Sequence, residues 1–180
     1  MPDFVKMIGV LFITCGLAAG SLAIVNMVTK TPIANWEKKQ KEDALREVFP
    51  KADEFKELTV NRLWEGLDKG QMAGHIFLTE IQGYSGAITL MFGIDADNTI
   101  TGFKVLRHTE TPGLGAKITS PQFRDQFKNK RLEQVELKKD NPGKGAIDAI
   151  TAATISSRAV TKAVSATLDS FLKAKGGENK

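Results

Sequence analysis

The sequence predicts an α+β fold in which a single N-terminal transmembrane helix precedes an antiparallel sheet packed with helices. Three features of the 180 residues predict it. Residues 7–28 (MIGVLFITCGLAAGSLAIVNMV) hold no charged side chain and, at helical rise, are long enough to cross a hydrocarbon layer. Between 55 and 105, apolar runs alternate with polar residues and are separated by Gly, Asp and Asn clusters, the pattern of strands joined by turns. From Ile155 onward apolar residues return every three or four positions, the pattern of a helix with one buried face. The chain divides accordingly into an anchor at 1–30, a connecting helix at 31–50 and a folded domain at 51–180.

The anchor has a rival reading as a cleaved signal peptide, because Lys6 gives a basic start and Leu17-Ala18-Ala19-Gly20 is small enough for a peptidase. The apolar run continues through Ala23, Ile24, Val25 and Val28, which a short signal core does not need, so an anchor is expected. Cys15 follows Phe12-Ile13-Thr14, a poor lipoprotein site. As the sole cysteine it permits no intrachain disulfide. Lys30, Lys38, Lys39 and Lys41 follow the run while only Lys6 precedes it, and this bias alone leaves the domain in the cytoplasm; long domains translocate largely regardless of charge.

Composition narrows the function classes. A hydrophobic share of 42% with 26% charged residues is ordinary for a folded chain. The net charge of +4 is spread among acids with no basic stripe interleaved with aromatics, which excludes a nucleic-acid surface. His75 and His108 stand far apart without a cluster at ligand spacing, so no metal site is expected. No catalytic acid–base pair, base-activated nucleophile or nicotinamide-binding glycine fingerprint occurs, which argues against an independent dehydrogenase.

In chain order, 35–48 (NWEKKQKEDALREV) is rich in helix formers until Pro50, with Trp36 suited to a membrane interface and Ala44, Leu45 and Val48 as its apolar positions. Leu58, Val60, Leu63 and Trp64 are expected in one strand, 73–80 in a second, 85–93 in a third and 99–106 in a fourth, with Gly66 and Asp68-Lys69-Gly70 among the turns. The last two strands form a hairpin. Phe123 and Phe127, at helical spacing, suggest a short helix packed on the sheet. A terminal helix runs to about Ala174 and a loose tail follows at 178–180.

Two stretches carry chemistry. In 108–118 (HTETPGLGAKI), Pro112 fixes one backbone angle while Gly113 and Gly115 admit close approach, which suits a structural turn or a ligand loop. In 148–157 (DAITAATISS), Asp148 and Thr151 are both N-cap types and either can open the terminal helix. Ala152 and Ala153 leave the backbone bare beside the positive end of the helix dipole, a ready anion site. Hydroxyls at Thr151, Thr154, Ser156 and Ser157 crowd one turn; they serve either as a hydroxyl-rich cap or as a site.

The run Asp-Ala-Ile-Thr-Ala-Ala-Thr resembles the flavinylation motif of FMN-binding domains in the G subunit of the Rnf complex and the C subunit of the sodium-pumping NADH:quinone reductase. Glu-Thr-Pro-Gly-Leu-Gly followed by Lys resembles the second signature of that family. Here Thr151-Ala152 stands where the motif usually has Ser-Gly. The resemblance implies FMN held by a phosphoester to Thr154, with Asp148, Thr151, Ala153, Ser157, Glu110, Thr111, Gly113, Leu114 and Lys117 around the cofactor and Leu114 packed on its ring. A threonine hydroxyl is a weak nucleophile, so a separate metal-dependent flavin transferase is implied. The short chain favours the Rnf G subunit: an electron carrier, not catalytic alone, in a membrane-bound ion-translocating ferredoxin:NAD+ oxidoreductase. The resemblance implies iron–sulfur and flavin subunits as its partners. It also implies a single span in the inner membrane with the domain on the periplasmic side, against the charge bias. A component like the C subunit of the sodium pump and a flavin-binding membrane sensor are the alternatives.

Overall fold

The computed structural model describes residues 2–60 and 62–177. The chain forms two compact units, Met1–Lys41 and Glu42–Lys180. Within the first, the segment Asp3–Lys30 is long and apolar enough to cross a membrane, and none of its side chains is buried. Helix α1 is continuous over Pro2–Val48 and contains Pro32. The separate connecting helix expected at 31–50 is therefore the end of α1. A proline inside a helix removes one hydrogen bond, and the many good helix formers at 35–48 carry the helix on beyond it.

The second unit is built on a five-stranded antiparallel meander in sequential order, β1 (Glu54–Thr59), β2 (Leu63–Asp68), β3 (Gln71–Gln82), β4 (Ala87–Asp95) and β5 (Ile100–Arg107). Leu58 and Leu63 fall on different strands, a correction to the single strand expected there. The chain reverses after Thr59, where the Arg62 N–H donates to the Thr59 carbonyl at 3.0 Å. Gly66 lies within β2 at a bulge, not in a turn. The turn at Lys69 and Gly70 has positive φ at both residues (51° and 79°), the backbone that matches strand twist in a tight hairpin. The hairpin of β4 with β5 forms as expected, its turn pinned by Asp95, whose Oδ1 accepts from the N–H groups of Asp97 and Thr99.

Period-two alternation gives the sheet two buried faces. Ile88, Leu90, Phe92 and Ile94 of β4 point to one, together with Phe77 of β3. That face is covered by helix α3 (Thr154–Gly177), whose Ala159, Val160, Ala163, Val164 and Leu168 complete the core. Ile76 and Met91 point to the other face, where Ala44, Leu45, Val48 and Phe49 cover them with Trp64. The end of α1 is thus part of the domain. Thr101 Oγ1 donates to the Val48 carbonyl at 2.7 Å, and Glu47 meets Lys104 and Arg124 at 2.6 and 2.7 Å.

Between β5 and α3 the chain is mostly irregular. It holds 3₁₀ turns at Gly115–Thr119, Asp125–Phe127 and Leu132–Gln134, the short helix α2 (Pro121–Arg124) and a lone parallel bridge from Leu137 to Ile147. Phe123 and Phe127 are core residues as expected; Phe127 stacks on Phe103 with centroids 4.6 Å apart. The tail at 178–180, expected to be loose, lies outside the described residues.

Candidate functional site

Three segments meet at one end of the sheet. They are the turn between β3 and β4 at 83–86, the loop 108–115 and the first turn of α3. The residue that joins them is Glu110, which is 4% exposed. Its Oε1 accepts from the N–H groups of Tyr84 and Ser85 at 2.8 and 3.1 Å, and its Oε2 accepts from the Ser156 hydroxyl at 2.5 Å. Its own N–H donates to His108 Nδ1 at 3.2 Å. A buried carboxylate is costly unless hydrogen bonds satisfy it, and these three donors do so without a basic side chain. Two glycines make room for it. A Cβ at Gly83 would stand 2.3 Å from Glu110 Oε1, and one at Gly115 would stand 2.6 Å from Oε2.

Around this junction opens a cleft of about 420 Å3 lined by Tyr84, Glu110, Thr111, Leu114, Gly115 and residues 152–156. That is within the usual range for a small-molecule site. Its rim is apolar and accessible, with Tyr84, Leu114 and Ile155 exposed by 67%, 43% and 53%. Its floor is the start of α3, where Thr154 is the first helical residue and half-buried.

The helix starts later than either expected cap. The Ser157 N–H bonds to the Ala153 carbonyl at 3.0 Å, so the first-turn N–H groups belong to Thr154, Ile155 and Ser156. Asp148 and Thr151 do not cap it. The chain instead turns through Ala152, whose φ of 62° is in the left-handed region, and Ser157 stabilises that turn from inside the helix. Its hydroxyl accepts from the Ile150 N–H at 3.0 Å and donates to the Ala153 carbonyl at 2.9 Å. Ser157 thus fixes the turn that leads into the helix and leaves the N–H groups of Thr154, Ile155 and Ser156 uncapped by it.

The expected site residues therefore fall into groups. Glu110, Thr111, Leu114, Ala153 and Thr154 line the cleft. Ser157 is fully buried behind it and is engaged with the backbone. Gly113 has φ 76° at the exposed bend of the loop and does not line the cleft. Lys117, Asp148 and Thr151 line a neighbouring depression of about 290 Å3 with Gln126. There the Asp148 carboxylate meets Lys138 at 2.7 Å, and its N–H donates to Gln126 Oε1 at 2.7 Å. Tyr84, Ile155 and Ser156 were not among the expected cofactor contacts. A Gly-Tyr-Ser-Gly run reads as a plain turn, and only the fold brings it to the loop.

An accessible apolar rim, a half-buried hydroxyl at a helix start and free first-turn N–H groups fit a planar aromatic cofactor carrying a phosphate. The geometry suits FMN. Chemically, the chain supplies hydroxyls and first-turn N–H donors for an anion, and the isoalloxazine would supply the redox chemistry.

Comparison with known proteins agrees. Residues 83–169 match the model of the FMN-binding domain family. The chain is 34% identical to the G subunit of an ion-translocating oxidoreductase complex from Methanosarcina acetivorans, over 93% of this chain and 94% of the relative. It is 32% identical to the G subunit of a proton-translocating ferredoxin:NAD(+) oxidoreductase complex from Clostridium ljungdahlii, over 93% and 91%. Among solved structures, the C subunit of the Na(+)-translocating NADH-quinone reductase from Parabacteroides distasonis superposes with a TM-score of 0.53 at 28% identity, covering 62% of this chain and 60% of that one. From these similarities the chain belongs to the G-subunit family of ion-translocating oxidoreductase complexes.

Proposed function

We propose that this protein is the membrane-anchored electron-transfer subunit of an ion-translocating ferredoxin:NAD+ oxidoreductase complex, carrying FMN as a phosphoester on Thr154. The observation that carries this is the position of Thr154, which opens α3 on the floor of a cleft walled by both sequence signatures. A phosphate there meets the first-turn N–H groups and the positive end of the helix. In the bonded state it is also tethered, so the flavin is not lost by dissociation.

Attachment needs a separate flavin transferase. The Thr154 hydroxyl gives up its proton, an O–P bond forms to the flavin phosphate, and the bond from that phosphorus to a phosphate leaving group of an activated flavin nucleotide breaks. Among the described residues no base stands beside Thr154 to drive this unaided, since the one carboxylate of the cleft is occupied by three donors. Asp148 presents an exposed carboxylate six residues upstream for the transferase to read.

The reading as an electron relay rather than an ion channel has support in the relatives. A sodium-translocating complex from Acetobacterium woodii and the proton-translocating one from Clostridium ljungdahlii have G subunits that are each 32% identical to this chain. We assign the choice of ion to other subunits, with which this chain exchanges electrons. We place the domain on the outer face of the membrane, following the family against the charge bias.

The test is the intact mass of the full chain co-expressed with a competent flavin transferase, followed by peptide mapping. One FMN adduct on the peptide that contains Thr154 is expected. A colourless protein of unmodified mass overturns the attachment.

A further inference from the structure

Tyr84 is the sole tyrosine in the chain, and its burial is unlike that of the core aromatics. It is 67% exposed, and among the described residues it stacks on no other ring. Yet its backbone is firmly held. The buried Glu110 carboxylate accepts the N–H groups of Tyr84 and Ser85, and the Gly83 N–H closes the turn on the Gly86 carbonyl at 2.8 Å. A rigid turn thus presents a large aromatic side chain at the mouth of the cleft, with Leu114 and Ile155 on its rim. Three exposed side chains with apolar bodies, drawn from three separate segments, leave room for a flat ring between them.

We propose that Tyr84 is the aromatic wall of the flavin site and suppresses the emission of the bound flavin; this rests on the attachment of FMN at Thr154. A phenol in contact with a photoexcited isoalloxazine donates one electron and takes it back, so the emission is lost with no net chemistry. Among the described residues Tyr84 is the only side chain of the cleft able to do this. Neither tryptophan lines it, and Trp64 is buried on the opposite face of the sheet. Glu110 acts through the backbone as a positioning residue that aims the tyrosine.

The experiment uses the full chain in detergent, loaded by co-expression with the transferase and with its adduct verified by intact mass. Flavin emission is measured in the native state and after unfolding, for the wild type, Tyr84→Phe and Tyr84→Leu. Wild-type emission is expected to rise severalfold on unfolding. Tyr84→Phe keeps the ring but is a far poorer electron donor, so its native emission rises severalfold while iodide reaches its flavin no faster than in the wild type. Tyr84→Leu emits as strongly and is also quenched faster by iodide, because the wall is gone. Native emission of Tyr84→Phe equal to that of the wild type, with the adduct present, overturns the proposal and leaves the attachment intact. Absence of the adduct from the wild type overturns both, and the mass alone distinguishes that case.

Discussion

Ser156 donates its hydroxyl to Glu110 Oε2 at 2.5 Å, a bond between residues 46 apart in sequence and both almost wholly buried. It ties the loop of the second signature to the helix that opens at Thr154. The same carboxylate holds the turn between β3 and β4, so one side chain fixes three of the walls of the cleft. Replacing it by alanine strands two N–H groups and a hydroxyl in a buried site. Glu110→Ala is expected to cost about 3 kcal/mol in denaturant unfolding. Glu110→Gln retains an acceptor for the two N–H groups, and Ser156 can accept from its amide, so about 1 kcal/mol is expected. Equal losses in the two variants would mean that the charge of the carboxylate, which both replacements remove, holds the junction, and not its capacity to accept hydrogen bonds.

Ala152 adopts φ 62°, a conformation that an L-residue enters at a cost and glycine enters freely. The family motif usually has glycine there. Ala152→Gly should therefore stabilise the domain by up to about 1 kcal/mol, less the entropy that glycine loses on folding, and leave flavin loading unchanged. Ala152→Val should destabilise it, since a branched side chain is worse still in that region. Thermal unfolding of the two variants gives the sign directly.

The sheet and α3 were legible in the sequence because their periods are local: Ile88, Leu90 and Phe92 alternate over a few residues, and 159–168 repeat at helical spacing. The helix start was not legible. Asp148 and Thr151 have the right chemistry for caps, and nothing nearby shows that the Ser157 hydroxyl would take the Ile150 N–H instead. Nor was Pro32 a break, since the helix former content of 35–48 outweighs one proline. The cleft was half legible. Its motif residues stand out one stretch at a time, but Tyr84 enters it only through Glu110, 26 positions away. Lys117 and Thr151 sit within the motifs and yet face the neighbouring depression; for Thr151 the reason is the turn at Ala152, which divides 148–151 from 152–156.

His75 on β3 packs edge-on against Phe171 of α3 at 4.8 Å, and its buried Nδ1 has no partner among the described residues. Burial pushes its pKa below the ordinary 6.5, nearby Lys175 adds to this, and Glu65 on β2 opposes it. The folded state therefore favours the neutral ring. Below the ordinary value the unfolded chain binds the proton more readily, so stability is full above about pH 6.5 and falls as the pH drops through the window beneath it. His75→Gln should flatten unfolding stability across that window. An unchanged slope would assign the acid sensitivity to other groups.

Asp148 and Lys138 form an ion pair at 2.7 Å with both side chains more than half exposed. Such pairs contribute up to about 1 kcal/mol, so Asp148→Ala and Lys138→Ala should each lower stability by no more than that. Their effects on flavin loading should diverge. On the proposal that the transferase reads the carboxylate and not its partner, Asp148→Ala should slow loading severely while Lys138→Ala loads at nearly the wild-type rate. Loading time courses followed by intact mass separate the two; a parallel loss in both variants would make the ion pair, rather than the carboxylate, the feature that is read.

Thr154→Ala should remove the adduct completely and change stability by no more than about 0.5 kcal/mol, because the residue is only half-buried and alanine is the better helix former. The other hydroxyls of this stretch offer no substitute. Ser156 is committed to Glu110, Ser157 to the backbone at Ile150 and Ala153, and Thr151 faces the other depression. Peptide mapping of Thr154→Ala should accordingly find no flavin on residues 151, 156 or 157, while Thr154→Ser, which keeps a hydroxyl on the cleft floor, should still be modified at 154. Flavin recovered on Thr151 in the alanine variant would show that the transferase selects a stretch of sequence and not the position that the fold presents.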